Sequence, residues 1–356
     1  MKHTLYILIA FEMINACTKD LDKGGDLASG DSVFVRFSVT VKGISLVKTK
    51  AGVAVEESVP ANIWVLQFDG TDNGSKLTKA EYISTISDIN NLGVHLNIGT
   101  NQRILFVANT FDDALFNGTN APINSYTYSD FLTETISYTS ESSVFKGTTT
   151  KYLILYGYYT GTIPNGSASV VLYHINAKIS MSYTSVESMD IFNPGIVKIK
   201  SVQLRSVPAS SPYYMTPSNT VNTNPSSVLN YTTITTGSNS GTGTGEAYSI
   251  SDYSGNVTFY MPENISGTVN DVTSEELKGE YAPANATFIE FKGELFRDGS
   301  FVSNVVYKLY LGKNITTDYN INSNTHYSIS IRFLGLDMND TRLITSKTDN
   351  WIDGTW

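Results

Sequence analysis

Glu290 and Glu294 stand four residues apart in Thr287 to Leu295, a run that reads as a strand, so their carboxyls fall on one face. Two acids so placed suggest glycoside hydrolysis, one protonating the leaving oxygen and the other attacking the sugar or activating water. Strand acids, however, far more commonly face solvent. Acidic residues could also meet across a sheet, Asp318, Asp337 and Asp340 being obvious carboxylates near the C terminus. Of the four histidines, His3 falls in the expected signal peptide, and His95, His174 and His326 lack short-range partners. His174 has opposite parity to Val171 and Tyr173 and is expected to face water, as is His326, which opens a strand after Asn324-Thr325. No His-Glu-x-x-His, nucleophile elbow, Walker loop or dinucleotide fingerprint occurs. The sequence therefore offers no catalytic, cofactor-binding or metal-binding residues, and the reading is non-enzymatic. The single cysteine, Cys17, rules out an intrachain disulfide and a cysteine-built metal site.

Binding without turnover needs less. Tyr213, Tyr214, Trp351 and Trp356 are candidate ligand-contacting aromatics, able to stack on sugars while Asn and Ser satisfy hydroxyls; ordinary packing is the alternative for each. A formal charge of -9 with no Lys/Arg cluster excludes a nucleic-acid surface.

The apolar run Leu5 to Phe11 precedes Ile14-Asn15-Ala16-Cys17 and is too short to span a bilayer. A small residue before a lone cysteine just past a secretory core reads as a lipoprotein processing site. Residues 1–16 would be the signal peptide and Cys17 the lipidated first residue, tying the exported chain to a membrane. A buried free thiol is the alternative. Residues 17–30 carry too little apolar surface to fold and form a flexible tether.

Several elements must position these residues. With 22 tyrosines, 16 phenylalanines and 16% charged residues, and much Thr, Ser, Val and Asn, the chain favours strands over helices. Val33, Val35, Phe37, Val39 and Val41 alternate with polar neighbours, one side to a core and one to water. Further strands are expected at Ile63 to Phe68, Arg103 to Ala108, Lys151 to Tyr159, Ser169 to Ser182 and Ile196 to Val207. Asn256 to Tyr260, Thr287 to Leu295, Val305 to Leu311 and Tyr327 to Phe333 complete the set. Only Lys79 to Asn90 invites a helix. Two strand-rich halves, 31–168 and 169–356, suggest paired β-sandwiches, the second with a long surface excursion over 208–249.

Ile63-Trp64-Val65-Leu66-Gln67-Phe68-Asp69-Gly70, Leu172 to Ile179 and Ile199 to Pro208 carry a resemblance that Tyr260-Met261-Pro262-Glu263-Asn264-Ile265-Ser266-Gly267 strengthens. Its clearest part is Tyr310-Leu311-Gly312-Lys313-Asn314, continuing through Asp318-Tyr319-Asn320-Ile321 and Asn324 to Tyr327. Together these segments resemble the fimbrillin family of Bacteroidales pilus proteins, especially the branch with minor-fimbria shaft, anchor and accessory subunits. The resemblance implies an all-β protein of two transthyretin-like Greek-key β-sandwich domains in tandem. It also implies lipoprotein export to the outer membrane through lipid on Cys17, surface exposure, and incorporation into a fimbria with other fimbrial subunits as partners. Shaft subunits of the family mature when an Arg- or Lys-specific protease removes an N-terminal strand, opening a groove that a neighbour's strand fills. Lys48 and Lys50 are the accessible candidates for such cleavage, whereas Arg36 lies inside the first strand pattern. Shaft, anchor and tip roles stay open, as does adhesion to host glycans or proteins. The tail from Asp337 to Trp356 is a donor strand, a cap or a packed terminal strand.

Overall fold

The computed structural model describes residues 32–42, 55–111, 115, 121–188, 195–215, 228–231, 234–236, 249–275, 277–334 and 348–350. The architecture is all-β, as composition suggests; the one α-helix among the described residues is α1, Tyr128–Thr133, started by a capping box between Thr127 and Asp130.

Seven strands form the first sheet: β1 (Ser32–Val41), β2 (Ile63–Phe68), β3 (Leu77–Ile83), β4 (Leu92–Asn97), β5 (Gln102–Ala108), β6 (Leu155–Gly161) and β7 (Ser167–His174). Their order is β3-β2-β5-β6-β7-β1-β4. The two edges curl towards each other. Gln67 on β2 exchanges hydrogen bonds with the Asn97 backbone on β4, donating through Nε2 at 2.7 Å and accepting through Oε1 at 2.8 Å. Inside the curl lie Val35, Phe37, Val39, Ile63, Val65, Val94, Ile104, Phe106, Val170 and Leu172.

The run from Lys79 that invited a helix is instead the strand β3, paired antiparallel with β2, followed by bends and a short 3-10 turn at Ile89–Asn91. Tertiary pairing with β2 overrides a weak local helical pattern. The expected strand over 169–182 is also two elements. β7 ends at His174 and β8 (Asn176–Val186) begins a different sheet, with Ile175 as the crossing residue. The crossing reverses the parity of burial: Val170, Leu172 and His174 face inward on β7, whereas Ala177, Ile179, Met181 and Tyr183 are the apolar inward positions on β8.

Beyond Ile175 the strands of the two larger sheets are β8, β9 (Ile196–Arg205), β10 (Ile234–Thr235), β11 (Ser249–Ile250), β12 (Ser254–Pro262), β13 (Phe288–Arg297), β14 (Ser300–Tyr310), β15 (Thr325–Leu334) and β16 (Thr348–Asn350). They form a sheet ordered β11-β12-β8-β15-β16 and another ordered β10-β9-β13-β14. These pack face to face through aromatic rings; Phe291 of β13 meets Phe333 of β15 edge-on at 5.2 Å and Tyr183 of β8 at 6.0 Å.

Within the expected surface excursion over 208–249, a few of the described residues contribute to the core. Tyr213 and Tyr231 are buried, and the Tyr231 hydroxyl donates to the Tyr260 carbonyl at 2.8 Å. Ser210–Pro212 pairs with Thr135–Ser137 from the first half. Ring burial and strand pairing satisfy these few residues within a Ser/Thr/Asn-rich stretch.

Candidate functional site

β1 is the element whose sequence and setting combine most pointedly. Its alternation places Val35, Phe37 and Val39 in the core and leaves Phe34, Arg36, Ser38 and Thr40 exposed. The Phe37 ring meets Phe106 edge-on at 4.9 Å. Each buried side chain contributes about 1.5–3 kcal/mol through area removed from water. The backbone bridges two neighbours: Ser32–Phe37 pair antiparallel with β4, and Arg36–Val41 pair parallel with β7. Only Arg36 and Phe37 are paired on both sides. The space β1 fills is thus a slot with backbone donors and acceptors on both walls and three apolar holes on its floor.

Arg36 sits within this ladder with its guanidinium 4.9 Å from the Phe34 ring. A peptide bond held in a sheet is a poor protease substrate, which counts against cleavage at Arg36. Lys48, Lys50, Cys17, Trp351 and Trp356 lie outside the described residues.

After β1 the described chain resumes at Val55, and the next residues are held firmly. Val55–Glu56 pairs with Lys151–Tyr152. Asn109 accepts from the Ala61 N–H at 2.7 Å and donates to the carbonyls of Val59 at 3.1 Å and Leu153 at 2.8 Å. Glu57 is 2% exposed and its carboxylate reaches into the other half of the molecule. Oε1 meets the Lys178 ammonium on β8 at 2.8 Å and accepts from the Tyr260 hydroxyl on β12.

His174 completes this buried cluster, and the expectation that it faces water is wrong. It is fully buried, its Nε2 donates to the Glu57 carbonyl at 2.5 Å, and Nδ1 faces the Asn324 carboxamide at 3.2 Å. Burial holds its pKa below the usual imidazole range. The misreading follows from the crossing at Ile175, since counting parity from the β8 side inverts every β7 residue. His326 is half-buried beside Ser180 Oγ at 2.9 Å, and His95 is exposed.

The sequence-named aromatics divide. Tyr213 is buried rather than displayed, and burial raises its hydroxyl pKa to about 12. Tyr214 is half-buried against Phe131 and Tyr156, with ring centroids at 6.2 and 6.3 Å. Two aromatic features went unread in the sequence: Tyr158, which is 58% exposed, and half-buried Tyr128, whose ring carries the Arg103 guanidinium at 3.6 Å. Glu290 and Glu294 do share a face of β13, each beside cations: Glu290 lies 3.6 Å from Lys292 and 3.9 Å from Arg205, and Glu294 lies 3.7 Å from Lys200. Asp318 orders a turn, accepting from the backbone of Lys313 and Asn320 at 2.8 and 3.1 Å. Asp337 and Asp340 lie outside the described residues.

A family model, a domain of unknown function named DUF4906, matches residues 259–331, a span running from β12 into β15. No curated protein matches the sequence. Among solved structures, the tip fimbrial protein Mfa3 of Porphyromonas gingivalis, with a C-terminal truncation, superposes with a TM-score of 0.56 at 14% identity, covering 90% of this chain and 100% of that one. A candidate cell adhesion protein from Parabacteroides distasonis gives a TM-score of 0.54 at 16% identity, covering 91% and 98%. One from Bacteroides eggerthii gives 0.52 at 15% identity, covering 92% and 98%. These likenesses show the fold, which this chain shares with a tip fimbrial protein and two candidate cell adhesion proteins.

Proposed function

We propose that this chain is a structural component of a cell-surface fimbria, assembled or anchored by strand insertion in the slot that β1 occupies. The observation that carries the reading is the contrast along one stretch of chain. β1 is a regularly alternating plug, and the residues after Val55 are fastened independently of it by Glu57, Asn109 and the pairing with Lys151–Tyr152. Cleavage at Lys48 or Lys50 would free β1 while the rest of the fold keeps its new amino end in place. A replacing strand would gain a backbone ladder worth roughly 1 kcal/mol net per hydrogen bond. Apolar side chains entering where Val35, Phe37 and Val39 sit would give it register.

In this reading the chain forms two transthyretin-like sandwiches in tandem, is tied to the outer membrane through lipid on Cys17, and belongs with the fimbrillins. Amino-terminal sequencing of the cell-surface form tests it. A start shortly after Lys48 or Lys50 identifies a polymerising subunit, and a blocked start at Cys17 identifies an anchor that keeps β1. A form found only in the cytoplasm with an intact leader would sink the proposal.

A second reading, a tip adhesin for host glycans or proteins, is favoured by exposed Tyr158, whose ring lies 6.3 Å from Tyr156, itself 6.3 Å from half-buried Tyr214. Saturable binding on a glycan and matrix-protein panel, weakened by Tyr158→Ala, is its expected signature.

A further inference from the structure

The longest strand edge open among the described residues belongs to β14. It pairs with β13 on one side, and its eleven residues carry three exposed apolar side chains, Phe301 at 53%, Val302 at 45% and Val306 at 55%. Ladder register shifts where Leu295 pairs with Ser303 and Phe296 with Phe301, which leaves Val302 as a bulge near the hairpin tip. Beyond that bulge, Ser303 to Leu309 is regular. Edges are ordinarily protected by charge, proline or distortion at their centres. Here the centre is Val306, and Lys308 is the one charged residue of the regular stretch.

We propose that β14 is a self-association edge, pairing antiparallel with β14 of a second copy about a twofold axis through Val306. The occupant is argued from self-complementarity. With Val306 opposite its own mate, Asn304 stands opposite Lys308, Val305 opposite Tyr307 and Ser303 opposite Leu309. No like charges oppose one another. On the same face Lys198 pairs with Glu294, which pairs with Asn304, while Gln203 pairs with Glu290, which pairs with Lys308. Across the axis a single row therefore reads Lys198, Glu294, Asn304, then Lys308, Glu290 and Gln203 of the second copy, with cations and anions alternating.

Other registers fare worse. An axis through Lys308 sets that ammonium against itself, and an axis through Asn304 brings the bulged Val302 against Val306. Axes through Val305 or Tyr307 place Val306 opposite Asn304 or Lys308. Pairing at Val306 joins two four-stranded sheets into one continuous sheet and covers its exposed side chain. The contact is a sheet extension between like copies and does not depend on the β1 slot.

Engineered thiols test the register. Opposed residues in antiparallel strands have Cα atoms about 4.5–5.5 Å apart, within disulfide reach. In the full chain carrying Cys17→Ser, Val306→Cys is expected to give at least about tenfold more oxidised dimer than Lys308→Cys, and the pair Asn304→Cys with Lys308→Cys to cross-link like Val306→Cys. Val306→Asp, which sets two carboxylates together, is expected to turn a sedimenting dimer into a monomer whose unfolding midpoint no longer rises with protein concentration as the parent's does. A parent chain that stays monomeric at tens of micromolar, as when its own residues 335–347 cover the edge, overturns the proposal. Equal cross-linking at positions 306 and 308 overturns it as well.

Discussion

At the scale of single residues, the molecule's most consequential chemistry is buried and structural. Lys178 and Glu57 are both nearly inaccessible and share a 2.8 Å ion pair, so removing one partner strands a charge in a medium that cannot solvate it. Glu57→Gln is expected to cost about 3–5 kcal/mol in denaturant unfolding, and the double change Glu57→Gln with Lys178→Met to recover most of that loss. Glu141 poses the opposite problem. Its Oε1 is buried without a hydrogen-bond partner among the described residues, and burial pushes its pKa from 4.5 up to about 8. A carboxyl with a raised folded-state pKa supports the fold fully below its unfolded value, and that support is lost as pH rises through the folded one. Stability should therefore decline between about pH 4.5 and 8 through this group. Melting scans of Glu141→Gln should show a flatter profile over that interval. His174 acts at the acid end: burial lowers its pKa, so its contribution is present above the usual imidazole value and is lost as pH falls through the lowered one. An acid-side decline that persists unchanged in His174→Gln would remove this residue from the account.

At the scale of elements, β1 contrasts with the segment that follows it. Phe37→Ala is expected to cost about 3–5 kcal/mol, because the ring fills a closed space beside Phe106 and Tyr159. The same change in a chain already cleaved after Lys50, with β1 released, should leave stability unaltered. Measuring both forms separates β1 as a removable plug from β1 as a permanent core strand. Replacing Lys48 and Lys50 together with Ala is expected to abolish maturation on cells expressing a Lys-specific surface protease, read by amino-terminal sequencing, while Arg36→Ala leaves it intact. The alternation of β1 was legible in the sequence. Its position between β4 and β7 was not, because neither partner is adjacent to it along the chain.

At the scale of the whole molecule, the halves meet through a continuous apolar core. Leu105, Phe131 and Tyr156 from the first half and Tyr213, Phe259 and Met261 from the second belong to one buried cluster. Phe145 packs edge-on against Tyr260 at 5.2 Å, and Tyr138 Oη lies 2.8 Å from Ser211 Oγ across the same boundary. The halves should therefore unfold together. Hydrogen exchange is expected to give the same global opening free energy for the central amides of β5 and β8. Exchange from β5 at markedly lower cost would show that the halves open separately. A joint of this kind transmits load along a fibre without hinging, which suits the proposed role.

Composition and period-two patterning by themselves determined that the chain is all-β, which runs alternate, and that no local catalytic motif is present, because these depend only on residues near one another in sequence. The spaced motifs from Tyr260 to Tyr327 also carried the fimbrillin likeness unaided. Tertiary structure decided what local order cannot encode. A single crossing residue, Ile175, inverts the burial of β7 and turns an apparently solvated His174 into a buried one. Polar-looking sequence after Pro208 supplies Tyr213 and Tyr231 to a core assembled from distant strands. Side-chain parity holds only within one strand, and burial is set by whichever sheet lies opposite, so both outcomes awaited the packing of the whole chain.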